Sequence, residues 1–137
     1  MSTHALISYK ISNDEYKTIY VHNDGMLSSL GNKLLNYYNS DDKALALVNL
    51  GDLSAVYKLL EPTTLTHSFN NPEKDVTIAY HRDRGEDYSI AILNSDSLIE
   101  WSKEFDIEES YLWNEDSWFV RRGDSWVLLR SVTNFDC

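Results

Sequence analysis

The sequence predicts a single α+β domain over residues 1–137, with a largely antiparallel sheet packed against three or four helices. Short β-forming segments separated by turn residues sit towards both ends of the chain. Segments of helical period lie between them, at 27–38, 42–50 and 96–105. The two kinds are grouped rather than regularly alternating, and no glycine-rich phosphate loop is present, so a βαβ nucleotide fold is disfavoured. A chain of 137 residues with 42% hydrophobic content suits one domain with a real core.

Ala5, Ile7 and Tyr9 alternate with Leu6, Ser8 and Lys10, and Ser12-Asn13-Asp14 supplies turn chemistry. Tyr16 to Val21 resumes β-formers, so the first segment reads as a hairpin ended by His22-Asn23-Asp24-Gly25, where Gly25 can take a positive φ. Leu27, Leu30, Leu34, Leu35 and Tyr38 then fall on one helical side, with Gly31 in its middle to admit a close neighbour. Asn39-Ser40-Asp41-Asp42 breaks that helix and caps a second over 42–50. Gly51 stops it, and Asp52 is read as the cap of a further turn or two through Leu60, before Pro62.

Residues 63–74 read as a surface loop, and Val76–Tyr80 as a compact strand followed by a polar connection from His81 to Asp87. Ser89–Leu93 is a further strand. The next helix puts Leu98, Trp101 and Phe105 on one side and Asp96, Glu100 and Glu104 opposite. Three short strands close the pattern, around Trp113, Trp118 and Trp126, and core or edge packing is the economical account of these tryptophans.

Charge is the strongest functional signal. The net is −10, and residues 61–117 hold fourteen acidic against four basic side chains. Such a balance disfavours direct nucleic-acid or anionic-lipid binding and suits a basic partner. No 18-residue apolar run spans a membrane, and no secretory signal is read at the start, so a cytoplasmic setting is expected. The single cysteine, Cys137, makes no internal disulfide and supports no catalytic thiolate. Ser28, Ser29 and Ser54 lack a Gly-x-Ser-x-Gly elbow.

Tyr20-Val21-His22-Asn23-Asp24-Gly25, the glycine-containing helix carrying Gly31, Leu34, Leu35 and Tyr38, Gly51-Asp52-Leu53-Ser54, Arg82-Asp83-Arg84-Gly85-Glu86 and the tryptophan-rich end occur in that order. Together they resemble a family of small bacterial and bacteriophage proteins bearing Tyr-x-His-x-Asp-Gly and Arg-Asp-Arg-Gly-Glu segments. Asn23 and Met26 stand where that family often has aromatic residues. The resemblance implies a fold and a phage or bacterial context, and no activity.

Three function classes follow. The first is a noncatalytic protein-interaction module, in one version a phage-encoded inhibitor or DNA mimic that binds a basic, nucleic-acid-binding host protein. Its partner-binding residues are Asp96, Glu100, Glu104, Glu108, Glu109, Glu115 and Asp116, with Asp106 in the same segment, and a solvated solubility face is the plain alternative. The second is a small metal-assisted hydrolase built on His22 and Asp24 with His81, Asp83 and Glu86, whose nitrogen and carboxylate groups suit a divalent metal or a general base. Turn hydrogen bonding explains the same residues: Asp24 capping the helix near Leu27, and Arg82 and Arg84 holding carboxylates in ion pairs. The third is a structural domain of a homo-oligomer, associating through Trp118 or Trp126 on an edge strand. No cofactor is implied.

Overall fold

A computed structural model describes residues 3–104, 106–123 and 125–133. Phe105 and Cys137, each given a role or its exclusion above, lie outside the described residues. The described residues form a single α+β domain with a mixed, largely antiparallel sheet in which eight strands are described. The N-terminal hairpin forms as its alternation predicts. Strand β1 (Ala5–Ser12) pairs antiparallel with β2 (Glu15–Val21) across a turn at Asn13-Asp14.

The chain then enters a π-helical turn, Leu27–Gly31, which runs directly into α1 (Asn32–Tyr37). Asp24 does not cap this segment. Met26 is its N-cap, with no side-chain cap bond, and Asp24 itself takes the left-handed conformation at φ 58°. Gly25 is required for a different reason from the positive φ expected of it. A Cβ there would lie 2.6 Å from Ala5 Cβ and 2.9 Å from the Thr3 carbonyl oxygen. The same residue donates its amide to Thr3 and accepts the buried Tyr111 hydroxyl at 2.7 Å. Gly25→Ala is expected to cost about 1–3 kcal/mol by overpacking, read as a lower urea midpoint with an unchanged slope.

Helix α2 (Asp41–Val48) begins at Ser40, whose hydroxyl accepts the Lys43 amide as the Asn-Ser-Asp-Asp sequence predicts. Asp41 in its first turn accepts the Tyr9 hydroxyl at 2.8 Å and Trp113 Nε1 at 3.1 Å, which pins the helix start to the sheet.

The helical turn expected after Asp52 is instead a strand. Leu53, Ser54 and Ala55 (β3) are buried and run parallel to β2 beside Val21. β4 (Ile78–Ala79) pairs with β3, and Leu59 bridges to Val76 in the preceding chain. The polar connection after β4 coils into a short helix, α3 (Tyr80–Arg84), ended by Gly85 at φ 74°. β5 (Ala91–Leu93) pairs antiparallel with the other half of β2, at Tyr16 to Thr18. Two strands of opposite direction therefore share one edge of β2. In the gap between them the Tyr20 amide donates 2.9 Å to the Asp52 carboxylate, which stands in for the missing strand neighbour.

Helix α4 (Ser95–Glu104) is capped by Asn94, whose side-chain oxygen accepts the Ser97 amide at 2.8 Å. Asp14 in the hairpin turn receives both the amide and the hydroxyl of Ser95, which fixes the helix start against the β1–β2 turn. β6 (Glu109–Asn114) then lies parallel to β1, and β7 (Ser117–Arg122) and β8 (Ser125–Leu128) follow as antiparallel neighbours. α5 (Leu129–Thr133) follows directly on β8. The strand order is β4-β3-β2-β1-β6-β7-β8, with β5 beside β2.

Both faces of the sheet are covered. Ile7, Ile19, Val21, Tyr111, Trp113 and Trp118 pack with Leu30, Leu34, Leu47 and Leu129 from the helices on one face. Leu6, Tyr16 and Leu112 pack with Leu98 and Trp101 of α4 on the other. Trp113 and Trp118 are core residues as expected, and Trp126 is half-buried at the second face. No helix among the described residues is long and apolar enough to cross a membrane.

Candidate functional site

The acidic segment begins on α4. Its inner side is fixed by Leu98 and Trp101, so Asp96, Glu100 and Glu104 project together from the outer side, all three exposed. Four-residue steps at 1.5 Å rise place them along about 12 Å of helix. Asp106, at φ 54°, and Glu108 follow at the C-terminal end of the helix and are exposed. Glu108 also faces the N-terminal strand, where its carboxylate accepts the His4 amide at 3.4 Å.

The remaining carboxylates of the segment are elsewhere. Glu109 is half-buried and ion-paired to Arg122 at 2.8 Å, so its charge is met within the fold. Glu115 and Asp116 form the two-residue turn between β6 and β7, and Glu115 is held at φ 61°. Glu115 lies seven residues beyond Glu108 along β6, about 23 Å at the usual strand rise. The eight acidic residues between 96 and 116 thus become an exposed group of five around α4, one neutralised residue and a distant pair.

The histidine–carboxylate segments do not converge on a metal site. Among the described residues no group of three or more His, Cys, Asp or Glu side chains is placed to hold a metal ion. His22 is exposed and faces His4, with ring centroids 5.0 Å apart. His81 is exposed, its Nδ1 lies 2.8 Å from the Glu86 carbonyl oxygen, and its ring meets Tyr88 edge-on. Glu86 is paired with Arg84.

Asp83 turns the other way, into the protein. Its side chain is 3% exposed and receives the Ala79 amide at 2.8 Å and Arg82 Nε at 2.8 Å and Nη2 at 3.0 Å. His67 Nε2 approaches it at 3.1 Å. The His67 Nδ1 accepts the Glu73 amide, so the ring proton of the neutral form sits on Nε2, facing Asp83. Burial alone would raise the Asp83 carboxyl, but the Arg82 guanidinium, the Ala79 amide and His67 outweigh it and hold it below the usual carboxylate range. Arg82 also donates to the Leu60 and Thr77 carbonyls, both at 2.6 Å. The Arg-Asp-Arg-Gly-Glu segment is therefore a clamp on the 60–77 chain, but its close ion pairs, Arg82–Asp83 and Arg84–Glu86, are internal, and Arg82 reaches the surrounding chain through carbonyls, with Glu61 at 3.9 Å.

The loop over 63–74 is tied down by the same logic. The Glu73 carboxylate accepts the amides and hydroxyls of both Thr63 and Thr64, with the Thr63 hydroxyl at 2.6 Å. Those bonds, the Thr63 hydroxyl first, lower its carboxyl. Leu65 stands fully exposed at the tip.

Sequence reading missed two features. His67 carried no local signal, because its partner lies sixteen positions downstream. Asp52, expected to cap a helix, instead leads into β3. Burial raises its carboxyl despite hydrogen bonds from the Tyr20 amide and the Ser89 side chain, and Tyr20, Ser89 and Trp101 line a cleft beside it. No protein-family model matches the chain, and no curated protein or solved structure matches it either.

Proposed function

We propose that the chain is a noncatalytic interaction protein that uses the outer side of α4 to bind a basic protein. The observation that carries this reading is the placement of Glu104, Asp106 and Glu108 at the C-terminal end of that helix. The helix macrodipole is already negative there, so each added carboxylate costs about 0.3–1 kcal/mol instead of helping. Lys103 is the one basic residue in the helix, and it sits among Asp96, Glu100 and Glu104. A cationic partner relieves this repulsion, and the carboxylate spacing along α4 offers it paired contacts rather than field alone.

The proposed contact set is Asp96, Glu100, Glu104, Asp106 and Glu108. Glu109 is left out because Arg122 meets its charge, and Glu115 and Asp116 because they sit at the far end of β6. The density of carboxylates makes a nucleic-acid-binding protein the proposed partner, with the carboxylates taking the place of backbone phosphates.

Charge reversal separates this function from a solubility role. The Glu100→Lys/Glu104→Lys variant is expected to lose at least tenfold affinity for a basic protein recovered by native affinity capture. The loss should shrink between low and moderate salt. Glu104→Lys alone should slightly raise the melting temperature, because a cation suits that helix end. Glu115→Lys/Asp116→Lys should bind as the wild type does. Equal affinity of the α4 variant and the wild type at both salt concentrations overturns the proposal.

A further inference from the structure

Where β3 and β5 part along β2, the sheet leaves a cleft of about 430 Å³ lined by Tyr20, Asp52, Ser89 and Trp101. That volume is in the range of small-molecule sites. Two aromatic rings and one carboxylate face the same space, on the opposite side of α4 from its acidic stripe.

Among the described residues, the carboxylate is incompletely answered. Asp52 accepts the Tyr20 amide and the Ser89 side chain, which is two donors for an ionised group able to accept roughly four hydrogen bonds. Its own backbone is fixed on both sides, the amide donating to the Ser89 carbonyl at 3.1 Å and the carbonyl accepting the Tyr80 amide at 3.2 Å. The neighbouring Gly51 sits at φ 84°, and a Cβ there would lie 3.1 Å from the Ser89 carbonyl oxygen, so the wall is built by close approach of two backbones. The backbone that carries the carboxylate is thus held in place at the cleft wall.

The Tyr20 ring is fixed from its hydroxyl end. His4 Nδ1 lies 2.9 Å from the His22 carbonyl oxygen, which can only accept, so that nitrogen carries the proton. The same nitrogen is 2.9 Å from the Tyr20 hydroxyl, which also lies 3.4 Å from His22 Nδ1, so the phenol end is held between the two imidazoles. Burial, together with Tyr80 and Asp52, raises this phenol, so it remains protonated.

We propose that the cleft between β3 and β5 binds a small organic cation, with an ammonium or amidinium head on Asp52 and an apolar body against Tyr20 and Trp101. A cation supplies the missing donors to the carboxylate and is attracted to aromatic faces, whereas a carboxylate or phosphate ligand would be repelled by Asp52. This site is separate from the protein-binding side of α4.

Benzamidine, benzylamine, benzyl alcohol and benzoate are the probes, titrated by calorimetry and by amide chemical-shift mapping of the full chain. The two cations are expected to bind at least tenfold more tightly than the alcohol, with benzoate not binding. Their shifts should centre on Tyr20, Asp52, Ser89 and Trp101. Asp52→Asn keeps an acceptor for the Tyr20 amide and should lose at least tenfold affinity for benzamidine while leaving benzyl alcohol unchanged. If Asp52→Asn does not fold, the wild-type shift map decides: perturbations at those four residues support the site, and perturbations elsewhere overturn it. Absence of binding by both cations, or equal benzamidine affinity of folded Asp52→Asn and wild type, also overturns it.

Discussion

Trp118→Ala lowers the unfolding free energy by about 3–5 kcal/mol, a large part of the stability of an ordinary domain. The indole is 1% exposed, meets Trp113 edge-on at 5.4 Å and donates its Nε1 hydrogen to the Tyr38 carbonyl at 3.0 Å. Truncation therefore removes a large apolar volume between β7 and the α1 end, and leaves a buried carbonyl without its donor. Trp118→Phe separates the two contributions. It keeps most of the volume and should cost about 1–3 kcal/mol, the range for an unsatisfied buried group. Trp126→Ala is the comparison, since that ring is only half-buried and should cost clearly less. Urea unfolding followed by far-UV circular dichroism reads all three. Equal losses for Trp118→Ala and Trp126→Ala would remove Trp118 from its place as the anchor of the helical face.

Asp83→Asn should cost about 3–5 kcal/mol, because it breaks a buried ion pair from one side and leaves the Arg82 guanidinium without its carboxylate. The amide also presents a donor where Asp83 has only acceptors, against His67, Arg82 and the Ala79 amide. The pH dependence has a definite sign. The folded Asp83 carboxyl lies below its ordinary value, so its contribution is fully present above the unfolded value, about 3.9 for Asp. It is lost as pH falls through the lower, folded value. The stability gap between wild type and Asp83→Asn should therefore be constant near neutral pH and close in acid. The urea midpoint at a series of pH values measures it, and limited proteolysis should report new cleavage within residues 61–77. A gap that persists undiminished in strong acid would remove the charge-based account.

What the sequence makes legible follows from how local each signal is. The β1–β2 hairpin, the Ser40 cap and the β6–β7–β8 run depend on neighbours within a few residues, and each is where its pattern puts it. Leu53–Ala55 has a helical signature in sequence because a strand buried on both faces does not alternate, and Gly51-Asp52 resembles a helix stop and start. The parallel pairing of β1 with β6 has no local signature, since nothing in Ala5–Tyr9 names Glu109–Trp113 as its neighbour. The candidate sites divide the same way. The stripe at Asp96, Glu100 and Glu104 is a periodicity and was readable. The neutralisation of Glu109 by Arg122, the His67–Asp83 contact and the answering of the Tyr20 amide by Asp52 are long-range pairings that appear only when the chain closes.

The position of β1 between β2 and β6 has a consequence for the order of assembly. Ala5 faces Val21 on one side and Glu109 on the other, so its second neighbour is made 104 residues after it. At ribosomal rates of about 5–20 residues per second, the nascent hairpin waits for about 5–20 seconds with one hydrogen-bonding edge open. Closure of that edge joins the two ends of the chain across a long loop, which makes it a slow, late step. Until it happens, the most central strand of the finished sheet is a border, open to any other extended chain nearby.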